Sequence, residues 1–253
     1  LRHQFFKGIN LFTRILNRFV LKRKKQLKMG QVVAICGLDG TGKSTLVNSL
    51  HLCLSDNFCT TKLHLGRPSS TFLSIFFKPF IFLYTKIKRK RNIPSEQTLP
   101  QGKVSVIYAI RSVLLAYDRK IQADKAFKLS DKGFIVICDR YPGMTIGKMD
   151  SPRIYKDSNR SSLYNFLQIT EFNLYKKIRP ADQIFHLKAP VEIAVERNNS
   201  RIKSDKETEE EIRQRYVINS EASFLSDNYS YIDATDSMQH IFLSVLNDVW
   251  KKV

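Results

Sequence analysis

A three-layer α/β fold, with a five-stranded parallel sheet flanked by helices, is the class that this 253-residue sequence predicts. Three observations predict it. Apolar, β-branched runs such as QVVAIC at 31–36 and FIVIC at 134–138 have the unbroken character of strands covered on both faces. Between such runs lie longer stretches whose apolar residues recur at helical spacing, so strands alternate with helices and the sheet is parallel. A hydrophobic content of 43% in a chain of this length supports one sizeable core.

Residues 1–28 form a basic N-terminal extension. Phe5, Ile9, Phe12, Leu16 and Phe19 recur at steps of four and three, with Lys7, Arg14, Arg18 and Lys22 mostly between them, which predicts an amphipathic helix ending in Lys22-Arg23-Lys24-Lys25. It lacks the small-residue cleavage pattern of a secretory signal, and charge interrupts it too often for it to span a bilayer. Packing on the domain or on an upstream part is one reading. Contact with a membrane surface or an acidic partner is the other.

The main domain is read over 29–253. Its first strand, 31–36, leads through a glycine-rich turn into a helix with Leu46, Val47, Leu50 and Leu54 on one face. A second strand is expected at 61–65. Residues 103–129 read as a long helix burying Val106, Ile110, Val113, Leu114 and Tyr117, and 134–138 is the third strand. A helix over 161–178 stops before Pro180. Strands at 183–187 and 229–232 bracket helices at 191–200 and 207–225, and a last helix runs to Trp250.

The turn after the first strand carries the most specific signal. Gly37-Leu38-Asp39-Gly40-Thr41-Gly42-Lys43-Ser44-Thr45 fits G-x-x-x-x-G-K-[ST] between a strand and a helix. Gly37, Gly40 and Gly42 let successive N–H groups, Thr41 among them, point at phosphate oxygens, and the helix opening at Lys43-Ser44-Thr45 adds the positive end of its dipole. Lys43 reaches the outer phosphates and Ser44 offers a hydroxyl to Mg²⁺. The fold is therefore that of a P-loop nucleoside-triphosphate binder, with ATP and Mg²⁺ as expected ligands. In such sheets ligands lie at the carboxyl ends of the strands. Asp139-Arg140-Tyr141 sits there, after the third strand. Its carboxylate can hold Mg²⁺ or take an acceptor's proton, and its guanidinium can grip a phosphate.

The formal charge of +19 is unevenly spread. Residues 1–28 hold nine Lys or Arg and residues 62–91 hold eight, neither with an acid, so these two stretches carry 17 of the excess charges. No helix-turn-helix, zinc-finger or RNA-reading motif accompanies them, which argues against a nucleic-acid partner. The absence of N-K-x-D after the fourth strand argues against a signalling GTPase. Cys36, Cys53, Cys59 and Cys138 show neither C-x-x-C nor paired histidine spacing, and read as small core residues of a reducing, cytoplasmic compartment.

Four pieces in order resemble thymidylate kinases and thymidylate-kinase-like proteins: GLDGTGKST at 37–45, LLAYDRKIQ at 114–122 with DKGFIVICDRY at 131–141, FHLKAPVEIAVERN at 185–198 and YIDAT at 231–235. The resemblance implies a nucleoside-monophosphate kinase, with dTMP as first acceptor, that forms homodimers as family members often do. It implies that Asp39 contacts the acceptor's sugar, that Arg119 and Arg140 hold its monophosphate, with Arg67 beside them, and that Asp139 lies near Mg²⁺. It also requires a catalytic cation, which Gly40 cannot supply, so a lid at about 197–208 is expected to bring Arg197 or Arg201 over the γ-phosphate. Lys203 and Lys206 follow them. A kinase of another nucleoside or sugar acceptor, and a membrane-associated nucleotide binder with a vestigial site, are the alternatives.

Two stretches depart from the family. After DRY this chain continues with Pro142-Gly143-Met144-Thr145-Ile146-Gly147, where a thymidylate kinase reads its base. An insert at 69–102 contains TFLSIFFKPFIFLYT at 71–85, then the basic run Lys86–Arg91. Pro79 and Lys78 break it too early for a membrane-crossing helix. It is read first as packing against the domain, and second, with residues 1–28, as a peripheral contact between 71–91 and an anionic, inner-face membrane surface.

Overall fold

The computed structural model describes residues 27–71, 74–77, 79, 82, 86, 104–199, 208–226 and 228–251. The expected helix over 1–28 therefore lies almost wholly outside the described residues. So do Arg201, Lys203, Lys206 and most of the insert.

The sheet has the expected five parallel strands: β1 (Gln31–Gly37), β2 (Thr60–His64), β3 (Ile135–Asp139), β4 (Gln183–Lys188) and β5 (Tyr229–Asp233). Their spatial order is β2-β3-β1-β4-β5, which puts the strand feeding the glycine-rich loop at the centre. All seven residues of β1 are buried, whereas edge strands β2 and β5 alternate partly buried with exposed positions. The register sets Ile35 beside Asp139 and Gly37 beside Leu187, so the ends of β1, β3 and β4 reach one rim.

Six helices have both ends among the described residues: α1 (Lys43–Ser55), α2 (Val106–Ser130), α3 (Ser162–Lys176), α4 (Val191–Asn199), α5 (Glu209–Asn219) and α6 (Met238–Trp250). Alternation along the strands divides the core in two. Val33, Ile35, Ile135, Ile137, Phe185 and Leu187 pack with Leu46 and Leu50 of α1 and Val245 of α6. Val32, Ala34, Cys36, Val136, Cys138 and Ile184 pack on the other face with Ala116 and Ala123 of α2 and Tyr175 of α3. A strand with period 2 that buries both faces must be apolar throughout, which is why β1 and β3 were readable.

Of the cysteines, Cys36 and Cys138 are core residues whose thiols burial pushes upward, but Cys53 is exposed and Cys59 partly so. Helix α5 is shorter than its pattern. Thr208 and Glu211 form a reciprocal cap at its start, and it ends at Asn219 because the chain beyond turns Ala222 and Phe224 into the core and donates Leu225 N–H to the Pro142 carbonyl. In the insert, Thr71 donates its N–H and hydroxyl to Asp118 of α2, and Ser74 is buried. The apolar side chains that follow differ from the reading as domain packing. Ile75, Phe76 and Phe82 are 55%, 62% and 67% exposed.

Candidate active site

The loop after β1 closes on the carbonyl of Leu38. That oxygen accepts from Thr41 N–H at 3.4 Å, Thr41 Oγ1 at 2.9 Å and Lys43 Nζ at 2.5 Å. Gly37 (φ 139°) and Gly42 (φ 90°) make the turn possible; a Cβ on Gly37 would lie 2.4 Å from the Leu187 carbonyl oxygen. Gly42 caps α1 without any side-chain hydrogen bond, so the helix N-terminus keeps its free N–H groups. Lys43 is only 5% exposed; burial and the nearby Arg140 lower its pKa to about 8 against the pull of Asp39 and Asp139. The ammonium lies 3.9 Å from Asp39 Oδ1.

Ser44 Oγ donates to Asp139 Oδ2 at 3.1 Å, while Asp139 Oδ1 is buried with no hydrogen-bond partner. A hydroxyl beside an unsatisfied carboxylate oxygen is a donor set that fits a hard cation such as Mg²⁺. No cluster of three or more His, Cys, Asp or Glu able to hold a metal occurs among the described residues.

Next to this lies a network of ion pairs. Arg119, 2% exposed, donates Nε to the Leu65 carbonyl at 3.1 Å, Nη1 to Tyr175 Oη at 2.5 Å, and Nη2 to both the Gly66 carbonyl at 3.0 Å and Asp150 Oδ1 at 2.6 Å. Arg140 reaches the other oxygen of Asp150 at 3.3 Å and also pairs with Asp39. Arg215 of α5 holds the second oxygen of Asp39 at 2.7 Å. Burial disfavours the charged form of Asp39, but Arg140, Lys43 and Arg215 together outweigh it and hold its carboxyl below the ordinary range. Among the described residues, Arg140 (φ 71°) and Asp150 (φ 58°) are the two non-glycines with left-handed backbone, and they pair with each other.

No family model matches the chain. Among curated proteins it is similar to YghS of Escherichia coli strain K12, an uncharacterized ATP-binding protein, at 31% identity over 157 residues, 58% of this chain and 63% of that protein. It is also similar to YghR of the same strain, likewise an uncharacterized ATP-binding protein, at 25% over 172 residues, 66% of this chain and 68% of that one. The match thus spans less than two thirds of YghS. Among solved structures it superposes on thymidylate kinase from Candida albicans with a TM-score of 0.51 and 16% identity, covering 88% of this chain and 92% of the other. The chain has the thymidylate-kinase fold.

Within that fold, Gly37, Asp39, Gly40, Thr41, Gly42, Lys43, Ser44, Thr45, Asp139 and Arg140 gather at the rim where the sequence placed them; Ser44 and Thr45 are exposed on the first turn of α1. Arg67 lies in the segment leaving β2, exposed and without a hydrogen bond among the described residues. Two positions differ from expectation. Arg119 is a buried clamp on Leu65 and Gly66, not an open guanidinium, because α2 packs against the chain leaving β2. Arg197 donates to the carbonyls of Gly40 and Ala234, at 3.1 Å each, and so ties the loop to the end of β5 instead of standing free as a lid cation. Sequence reasoning missed Asp150 and Arg215. The only signal for Asp150 was an acid in a stretch without periodicity, and Arg215 belongs to no motif.

Proposed function

We propose that this chain is an ATP- and Mg²⁺-dependent phosphotransferase, moving the γ-phosphoryl group of loop-bound ATP to a small acceptor at the rim of β1 and β3. The observation that carries the proposal is the convergence of Lys43, Ser44 and Asp139, with Asp139 Oδ1 left unpartnered. Loop N–H groups and the α1 terminus orient the phosphates, and Lys43 leaves the Leu38 carbonyl to neutralise charge on the outer ones. Ser44 and Asp139 would hold Mg²⁺, whose charge offsets that of the β- and γ-phosphates. Catalysis of this kind is positioning and charge neutralisation, which a rigid loop on the central strand provides. A thymidylate-type monophosphate is the acceptor raised by the resemblance, and the arginines it would use are the two now tied to Asp150.

ADP release from Mg·ATP, measured against a panel of nucleosides, sugars and their monophosphates, tests the proposal. Acceptor-dependent release that disappears in Asp139→Asn supports it. ATP binding with no release for any acceptor would leave a nucleotide-binding protein without transfer.

The exposed Ile75, Phe76 and Phe82, followed by the basic run 86–91, favour a second role, peripheral contact with an anionic membrane surface. None of the described helices is long and apolar enough to cross a membrane. Flotation with anionic but not neutral vesicles is the expected result; no flotation with either removes this role.

A further inference from the structure

The place at the rim where two guanidiniums converge already holds an anion, and that anion belongs to the protein. Asp150 gives one oxygen to Arg119 at 2.6 Å and the other to Arg140 at 3.3 Å, and it is itself 5% exposed. A phosphate gripped by these arginines would have to occupy the position of that carboxylate.

Asp150 is not on a loose flap. Gly143 N–H donates to its carbonyl at 3.2 Å, Gly147 N–H to the Pro152 carbonyl at 2.7 Å, and Met149 N–H to Asn219 Oδ1 at 2.6 Å. Just beyond, the N–H groups of Arg153 and Ile154 both donate to Glu171 of α3. Lys148 Nζ reaches the Ile218 carbonyl at 2.6 Å, and a Cβ on Gly143 would lie 2.1 Å from the Ser223 carbonyl oxygen. The left-handed backbone at Asp150, which most side chains avoid, is set by this surrounding lattice. Displacing the carboxylate would break a buried pair and leave the Asp150 charge without its two guanidinium partners.

Other described cations near the rim are engaged as well. Arg215 holds Asp39, Arg197 holds two carbonyls, Lys43 holds the Leu38 carbonyl, and Arg153 donates Nη1 to Tyr108 Oη at 3.2 Å, its buried Nε having no hydrogen-bond partner among the described residues. Arg67 is exposed, and a lone solvated cation binds an anion weakly.

We propose that Asp150 permanently fills the acceptor-phosphate position, so that the acceptor is an uncharged, hydroxyl-bearing small molecule, a nucleoside or a free sugar, and not a monophosphate. The acceptor's hydroxyl oxygen forms the new bond to the γ-phosphorus as the bond from that phosphorus to the β,γ-bridging oxygen breaks. ADP leaves with that electron pair, and the hydroxyl proton ends in solvent water. This rests on the phosphotransferase reading for its chemistry, but its central claim concerns an anion site and is testable without turnover.

With the full chain saturated by a non-hydrolysable ATP analogue and Mg²⁺, inorganic phosphate is titrated calorimetrically. The wild type should show no binding in the millimolar range, and Asp150→Asn, which keeps the left-handed backbone acceptable, should gain a phosphate site. Phosphate binding by the loaded wild type overturns the proposal. In turnover, each nucleoside or sugar should exceed its own monophosphate in kcat/KM by about tenfold or more, since a pocket without paired charge rejects a dianion; the reverse order overturns it. Nucleosides and sugars in separate arms distinguish the two sources of hydroxyl. Failure to bind the ATP analogue would instead count against the phosphotransferase reading. If Asp150→Asn does not fold, the two wild-type measurements still decide.

Discussion

The two halves of the rim are built on opposite electrostatic plans. In the half formed by the phosphate loop, Lys43 rests on a carbonyl, the N–H groups opening α1 have no side-chain cap and Asp139 keeps an oxygen without a hydrogen-bond partner among the described residues. In the other half, Arg119 and Arg140 meet Asp150, and Arg140 and Arg215 reach across to Asp39 of the phosphate loop, in a closed set of pairs. Identical residue types thus do different work: unsatisfied charge attracts a ligand, and satisfied charge fixes a shape.

Substitutions sharpen that contrast. Lys43→Met should lower turnover by about a thousandfold or more while leaving thermal stability close to that of the wild type, because the transferring charge loses its counter-ion but the core keeps its volume; ADP release and a melting curve check both halves of the statement. Arg119→Ala should do the opposite. It strands Asp150 and the carbonyls of Leu65 and Gly66, and should cost about 3–5 kcal/mol in urea unfolding. A near-normal urea midpoint for Arg119→Ala would erase the distinction between the halves.

A third test lies in the sheet between them. His186 on β4 is buried against Tyr229 Oη at 2.5 Å; burial, then Lys188 and Lys43, lower its pKa to about 4 from an ordinary 6.5. The unfolded chain takes up this proton before the folded one does. Stability from His186 is therefore complete above pH 6.5 and lost as pH falls from there toward 4, by about 2 kcal/mol at pH 5. His186→Gln should flatten the wild-type decline in urea midpoint between pH 7 and 5. The smallest effect concerns Lys43. With a pKa of about 8 in the empty loop, it should gain up to about one proton when a nucleotide binds near pH 9, visible as a buffer-dependent binding enthalpy.

Much of this was legible in the sequence, and the reasons differ by element. β1 and β3 announced themselves because both faces are buried, and the phosphate loop because backbone geometry demands glycine at fixed spacing. The end of α5 was harder, since its pattern runs on while Ala222 and Phe224 turn into the core. The pairing of Arg119 was not legible for another reason. Arg119 and Asp150 are 31 positions apart, and whether a guanidinium is open or paired depends on a partner that no local pattern names.

Helix α5 touches both halves at once. Arg215 and Asn219, one turn apart, fasten it to Asp39 in the phosphate loop and to Met149 beside Asp150, and Lys148 grips its last turn at Ile218. A strut bolted at both ends cannot tilt without pulling on each.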